Sequence, residues 1–188
     1  MHNSLPNIYC FINDLDQRYI KNLEKKIGII YRNYDNKINS KDIINFGKLC
    51  KKNRRKFYIA NEFKLAISAN LDGVYIPSFN KSTQHLSYSF KRKFVIIGSA
   101  HNIKEIRFKE KQHCDSIFLS PIFKTNKSKK NLGIFKFRIL KNYTNKKVIA
   151  LGGINEKNLK LIKKSGAIGF ASISYIKKNG PKINLRAV

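Results

Sequence analysis

The chain has no tryptophan, one methionine, three cysteines and four prolines in 188 residues. It is also short of acid: Asp and Glu together number 11, against 39 Lys and Arg. Each shortage excludes something. Cys10, Cys50 and Cys114 are odd in number and far apart, so they frame no disulfide scaffold and read as thiols of a reducing, cytoplasmic compartment. There is no CxxC pair and no Cys/His cluster, which argues against a structural zinc site. No apolar run approaches the ~18 residues of a membrane span, so a membrane is not an expected partner. The opening stretch MHNSLPNIYCFINDLD has no basic start, no long apolar core and no small-residue cleavage site, which predicts no secretory leader. Neither GxGxxG nor GxxxxGK[ST] occurs, so the two commonest nucleotide fingerprints are missing.

What is present is enough for a core. Hydrophobic residues make up 42% and aromatics 12% of the chain. A chain this long buries roughly 70% of its unfolded surface. The length suits one domain, residues 1–188. The net charge of +28 attracts nucleic acid, anionic lipid or phosphorylated metabolites, and charge alone does not choose among them. The lysines are spread along the whole chain and do not form a tail. Lys, Asn and Ile have A/T-rich codons, so compositional drift would also raise surface lysine whatever the function. No RNP, helix-turn-helix or finger pattern accompanies the charge, which argues against nucleic acid. Self-association into a homo-oligomer is left open by the sequence.

Short apolar runs alternate with amphipathic ones. The runs are 7–12, 26–32, 56–60, 73–77, 94–99, 116–121, 147–153 and 167–173, rich in Ile, Val, Tyr and Phe. Near-continuous apolarity over four to seven residues is how strands buried on both faces read. Between them, residues 41–52, 62–70 and 155–165 carry helical spacing, the last with Asn155 as an expected N-cap and Gly166 as its stop. Strands alternating with helices fit either a closed barrel or a doubly wound open sheet. The missing nucleotide fingerprints favour an α/β, compact (β/α)8 TIM barrel with short loops and a curtailed last helix.

In such a barrel, chemistry gathers where the strands end at their C-terminal side, and phosphate is often held after strands 7 and 8. Strand 7 runs into Gly152-Gly153, where a bare backbone can approach a ligand and a following helix would offer free N–H groups. Strand 8 runs into Ser172 and Ser174. After strand 6 comes a basic, hydroxyl-bearing loop with Thr125 and Lys127, able to cover an anion.

These residues carry a resemblance. ALGGIN at 150–155, SPIFKT at 120–125, SAH at 99–101, DGVYIP at 72–77 and GFASISYI at 169–176 stand in the order and spacing of the thiamine phosphate synthase/TenI family. IIYRNYD at 29–35 and LPNIYCFIND at 5–14 resemble its second and first strands. The resemblance spans roughly residues 5–177. It implies a TIM barrel that joins a pyrimidine methyl diphosphate to a thiazole phosphate, with Mg2+ at the diphosphate. It assigns Arg32 and Ser99 to the diphosphate, and Thr125, Gly153 and Ser174 to the thiazole phosphate, with Lys127, Gly152 and Ser172 beside them.

The departures fall on the metal. The family's two Mg2+-binding acids align with Asn61 and Asn80, and the residue before Asn61 is Ala60. Asn offers a neutral oxygen, whereas Mg2+ favours carboxylates. Glu62 and Asp14 are the carboxylates expected to recruit it instead, with lysines supplying part of the charge. Tyr34 replaces the family's second basic residue, with Lys37 close by, and Lys127 and Ser128 replace a Thr and a Lys. Pro121 stands where the thiazole tautomerase branch has its His. His101 belongs to the shared SxH pattern, where a positioning role competes with a catalytic one. Two further readings stay open: a TenI-like barrel that binds a thiazole or thiamine phosphate without condensing it, and a basic nucleic-acid-binding protein.

Overall fold

The apolar runs become strands because most of their side chains have somewhere dry to go on both sides. A computed structural model describes residues 6–34, 38–126, 128 and 130–179. Eight parallel strands close on themselves in chain order: β1 (Ile8–Ile12), β2 (Ile27–Tyr31), β3 (Phe57–Ala60), β4 (Gly73–Ile76), β5 (Val95–Ala100), β6 (Ser116–Leu119), β7 (Lys147–Leu151) and β8 (Phe170–Ser172). Alternate residues then point into the lumen or out toward the helices. Tyr9, Phe11, Ile30, Tyr58, Tyr75, Ile97, Phe118 and Ile149 fill the lumen. Ile8, Cys10, Ile12, Ile29, Phe57 and Ile117 belong to the outer core, which the helices cover.

The connecting helices are α1 (Gln17–Lys21), α2 (Ser40–Lys52), α3 (Phe63–Ser68), α4 (Ile103–Lys111), α5 (Gly133–Lys141), α6 (Leu159–Ser165) and α7 (Ser174–Asn179). Between β4 and β5 the crossover is reduced to a single 3-10 turn, Gln84–Ser87. Among the described residues no helix is long and apolar enough to cross a membrane.

Local chemistry explains the boundaries. Asn39 caps α2 by accepting from the Lys41 N–H, and Asn102 caps α4 by accepting from the Glu105 N–H. Glu105 reciprocates by accepting from the Asn102 amide and the His101 N–H, a capping box. Two carboxylates clip neighbouring strands together at the barrel's N-terminal mouth. Asp72, just before β4, accepts from the Phe57 N–H at 3.0 Å and pairs with Lys56. Asp115, just before β6, accepts from the Ile96 N–H at 2.8 Å.

One expected boundary is wrong. The helix read over 155–165 begins only at Leu159, and Asn158, not Asn155, is its N-cap. The two Asn side chains instead bond each other's main-chain N–H, which makes residues 155–158 a tight turn. The Asn158 amide also donates to the Gly153 carbonyl at 2.8 Å, tying that turn to the end of β7.

The three cysteines are buried. Burial pushes Cys50 and Cys114 up to about 12 from the ordinary 9.0. Their contribution is therefore full below pH 9 and is lost between about 9 and 12, as the unfolded chain ionises and the folded one does not. Lys109 works the other way: burial pulls it down to about 8 from 10.5, so stability gains across that interval. Above pH 9, two thiols oppose one lysine, and the buried phenols of Tyr58 and Tyr75, pushed up by desolvation, side with the thiols. The urea midpoint should fall as pH rises from 9 to 11, and Cys50→Ala with Cys114→Ala should flatten that slope. Parallel slopes in the two proteins would remove the thiols as its cause.

Candidate active site

The C-terminal ends of the strands gather nearly every residue singled out from sequence. The floor of this mouth is aromatic. Phe11 and Tyr75 meet edge to face with centroids 5.1 Å apart. Arg32, directly after β2, lays its guanidinium over the Phe11 ring at 5.0 Å and near the Tyr34 ring at 6.0 Å. Its N–H donates to the Ile12 carbonyl, which fixes the backbone from which it reaches. Tyr75 donates from its hydroxyl to Ser99 Oγ at 2.8 Å. Ser99 is only 3% exposed, and among the described residues its own hydroxyl proton meets no acceptor. Burial raises the Tyr75 phenol, while the hydrogen bond to Ser99 and the Arg32 charge pull the other way. Arg32 and Ser99, assigned to one anion, are thus linked through Tyr75 and Phe11. Tyr75 is the residue that sequence reasoning passed over, although it stands within the DGVYIP segment.

The second group lies across the mouth. Gly152 and Gly153 have φ of +96° and +69°, the left-handed region that suits glycine. They are not an open cradle. A Cβ on Gly152 would come within 2.7 Å of the Pro121 Cβ, and one on Gly153 within 2.3 Å of the Lys124 carbonyl oxygen. The β6 loop is bound to them by main-chain bonds from Ile122 N–H to the Leu151 carbonyl and from Phe123 N–H to the Gly152 carbonyl. What remains is the Gly153 N–H itself, which has no acceptor among the described residues. Thr125 packs near Gly152, and its Oγ1 accepts from the Ser128 N–H at 3.0 Å. Ser172 Oγ accepts from the Tyr175 N–H, and Ser174 is exposed at the start of α7. Lys127 and Lys37 lie outside the described residues.

His101 is a strut. Its Nδ1 donates to the Ser120 carbonyl at 2.6 Å, leaving Nε2 to the Ser78 hydroxyl at 3.1 Å. Both nitrogens are committed to holding the ends of β4 and β6 against β5, which favours the positioning role. Pro121 continues from Ser120 through a cis peptide bond.

The positions aligned with the metal-binding acids are adjacent but neutral. Asn80 donates from its amide to Asn61 Oδ1 at 2.7 Å, and its own Oδ1 accepts from the Ser82 N–H. Beneath them is a feature with no sequence signal beyond an amphipathic helix. Lys109 of α4 is 0% exposed and donates to the carbonyls of Pro77 and Asn80 and to Gln112 Oε1, each at 2.8 Å. Gln112 in turn donates to the carbonyls of Asn80 and Ser82. Glu62 is the N-cap residue of α3 but makes no side-chain capping bond, and it lines a cleft of about 710 Å3 with Tyr34, Ser40, Asn61 and Lys64. The oxygens that Asn61 and Asn80 present are neutral and each already accepts a hydrogen bond, so this pair fits Mg2+ poorly.

Two substitutions test this geometry. Gly153→Ala should cost about 2 kcal/mol in urea unfolding, from the left-handed φ and the contact with Lys124. Lys109→Met, which leaves Gln112 Oε1 without its donor and takes one of two donors from the carbonyls of Pro77 and Asn80, should cost about 2 kcal/mol. Unchanged midpoints would mean that neither packing is as tight as described.

Comparison with known proteins places this architecture. The family model described as thiamine monophosphate synthase matches residues 22–176. A putative thiamine-phosphate synthase 2 of Aquifex aeolicus is 29% identical over 183 residues, covering 90% of this chain and 97% of that protein. A thiamine-phosphate synthase of Prochlorococcus marinus is 30% identical over 146 residues, 77% of this chain but 42% of that protein, so the chain corresponds to less than half of that relative. In fold, a thiamine phosphate pyrophosphorylase from Pyrococcus furiosus superposes with a TM-score of 0.73 over 98% of both chains at 18% identity. With the match running from before β2 to the start of α7, the chain belongs to the thiamine monophosphate synthase family.

Proposed function

We propose that this chain, as a single barrel domain over residues 1–188, is a thiamine phosphate synthase. It would condense 4-amino-2-methyl-5-hydroxymethylpyrimidine diphosphate with thiazole phosphate. The bond from the pyrimidine methylene to the diphosphate oxygen breaks, and the electron pair leaves with pyrophosphate. The ring-stabilised cation left behind is attacked by the thiazole nitrogen lone pair, which forms the C–N bond of thiamine phosphate. The transition state develops negative charge on the departing oxyanion, so catalysis needs fixed positive charge and donors aimed there.

The observation that carries this reading is the cluster over the barrel floor. Arg32 is held on Phe11 next to Tyr75, and Ser99 keeps a hydroxyl proton to donate. A guanidinium stabilised on a ring face is a preorganised anion partner. On the other side of the mouth, the Gly153 N–H and the Thr125 hydroxyl are the donors for the thiazole phosphate, with Lys127, Gly152, Ser172 and Ser174 around them. The partners are then small phosphorylated metabolites, and buried cysteines such as Cys50 and Cys114 suit the cytoplasm. Mg2+ enters no step here, because Asn61 and Asn80 offer it no charge.

A second reading has one observation in its favour. The same neutral Asn pair suits a TenI-like barrel that binds a thiazole or thiamine phosphate without condensing it.

Purified protein mixed with both precursors should yield thiamine phosphate by mass spectrometry, and Arg32→Ala should lower the rate at least tenfold with the fold intact by circular dichroism. Normal turnover in the variant would put the diphosphate elsewhere. Thiazole phosphate binding without product would favour the second reading.

A further inference from the structure

The Asn61–Asn80 pair has a polarity that its hydrogen bonds fix. A main-chain N–H can only donate, so the bond from Ser82 N–H at 2.9 Å identifies the accepting atom of Asn80 as its oxygen. The other end of the Asn80 amide is therefore its NH2 group, which donates to Asn61 at 2.7 Å and identifies Oδ1 there in the same way. Each amide oxygen already holds a proton donor. Each keeps a single lone pair, whereas among the described residues three N–H remain unspent: both hydrogens of the Asn61 amide and the second of Asn80. Backbone bonds keep it in place. The Asn61 N–H donates to the Tyr75 carbonyl at 2.9 Å, and the Asn80 N–H donates to the Pro77 carbonyl at 3.1 Å. Asn61 sits at φ +64°, a conformation Asn tolerates better than most side chains.

The charge behind the pair has the same sense. The Lys109 ammonium donates to the Asn80 carbonyl from a site with no solvent exposure and no carboxylate among its partners. A divalent cation on Asn80 would have to sit close to that ammonium, in surroundings that screen it poorly. Lys64 lines the adjoining cleft, and Glu62 is the only carboxylate there among the described residues.

We propose that this chain holds the diphosphate of its substrate without a divalent cation, on the remaining N–H donors of the Asn61–Asn80 pair backed by the buried ammonium of Lys109. The inference rests on the synthase reading for the identity of the anion. Its chemistry is that of an anion site: the positive charge a metal would bring is built into the chain, and neutral amides supply the directional bonds.

The probe is inorganic pyrophosphate, titrated calorimetrically into the full chain in EDTA and again in Mg2+. The expected affinity in EDTA is within threefold of that in Mg2+, or tighter. Asn61→Asp with Asn80→Asp should weaken binding in EDTA at least tenfold, and Mg2+ should restore it. Asn61→Gly, which suits the positive φ and deletes the amide, should weaken binding at least tenfold in a way that Mg2+ does not restore, and so covers a double variant that fails to fold. Native binding that needs Mg2+, no binding in EDTA, or unaltered binding by Asn61→Gly would each overturn the proposal. Condensation of the two precursors separates the two ideas. Product formed only with Mg2+ sinks the metal-free site and leaves the synthase reading standing. Pyrophosphate bound in EDTA without any product from both precursors does the reverse.

Discussion

A closed ring of eight strands must fill its own lumen, and this chain does so largely with rings. Phe118 meets Tyr9 at 5.1 Å and Phe11 at 5.9 Å between centroids, and Phe11 meets Tyr75. These side chains exclude water from the barrel and leave a hard apolar surface just below its mouth. Everything proposed for the site stands on that surface. Arg32 takes its direction from a ring face, and Ser99 takes its partner from a phenol that the packing aims upward. A lumen filled with aliphatic residues would close the barrel equally well, but it would give the guanidinium no face to stack on and Ser99 no phenolic donor.

The scarcity of acid has structural consequences. Two of the few carboxylates, Asp72 and Asp115, are committed to clipping strands at the mouth away from the site, and Glu105 to a helix cap. Two buried cations are left to neutral oxygens. Arg55 donates to the carbonyls of Lys21, Leu23 and Glu24, and Lys109 to those of Pro77 and Asn80 and the amide of Gln112. Carbonyl dipoles can satisfy a cation's hydrogens without cancelling its charge, so the surroundings of Lys109 stay positive beneath the Asn61–Asn80 pair, where the anion is proposed to bind.

The fold was legible because apolarity on both strand faces leaves few alternatives, and several of the crossovers, α2, α4 and α6 among them, are short helices with Asn or Gly at an end. The Gly152-Gly153 turn, the Thr125 loop and Arg32 were also readable, since each lies at a strand end where a barrel puts its chemistry. Three things were not. Asn155 and Asn158 are equally good caps by type, and only the tie from Asn158 to the Gly153 carbonyl decides between them. Lys109 sits on a helix crowded with other basic residues, and nothing in its neighbours tells that this one is buried. The link from Tyr75 to Ser99 joins residues 24 apart in sequence on adjacent strands, a relation set by the register of β4 with β5.

The seam between the β6 and β7 loops has its own consequence. Pro121, Phe123 and Lys124 pass where side chains on Gly152 and Gly153 would stand, and Ile122 and Phe123 donate their main-chain N–H to the carbonyls of Leu151 and Gly152. The two loops therefore form one inheritable unit. Transplanting either alone from a cousin barrel would leave a clash or a gap, so natural variation in one should arrive already matched by variation in the other.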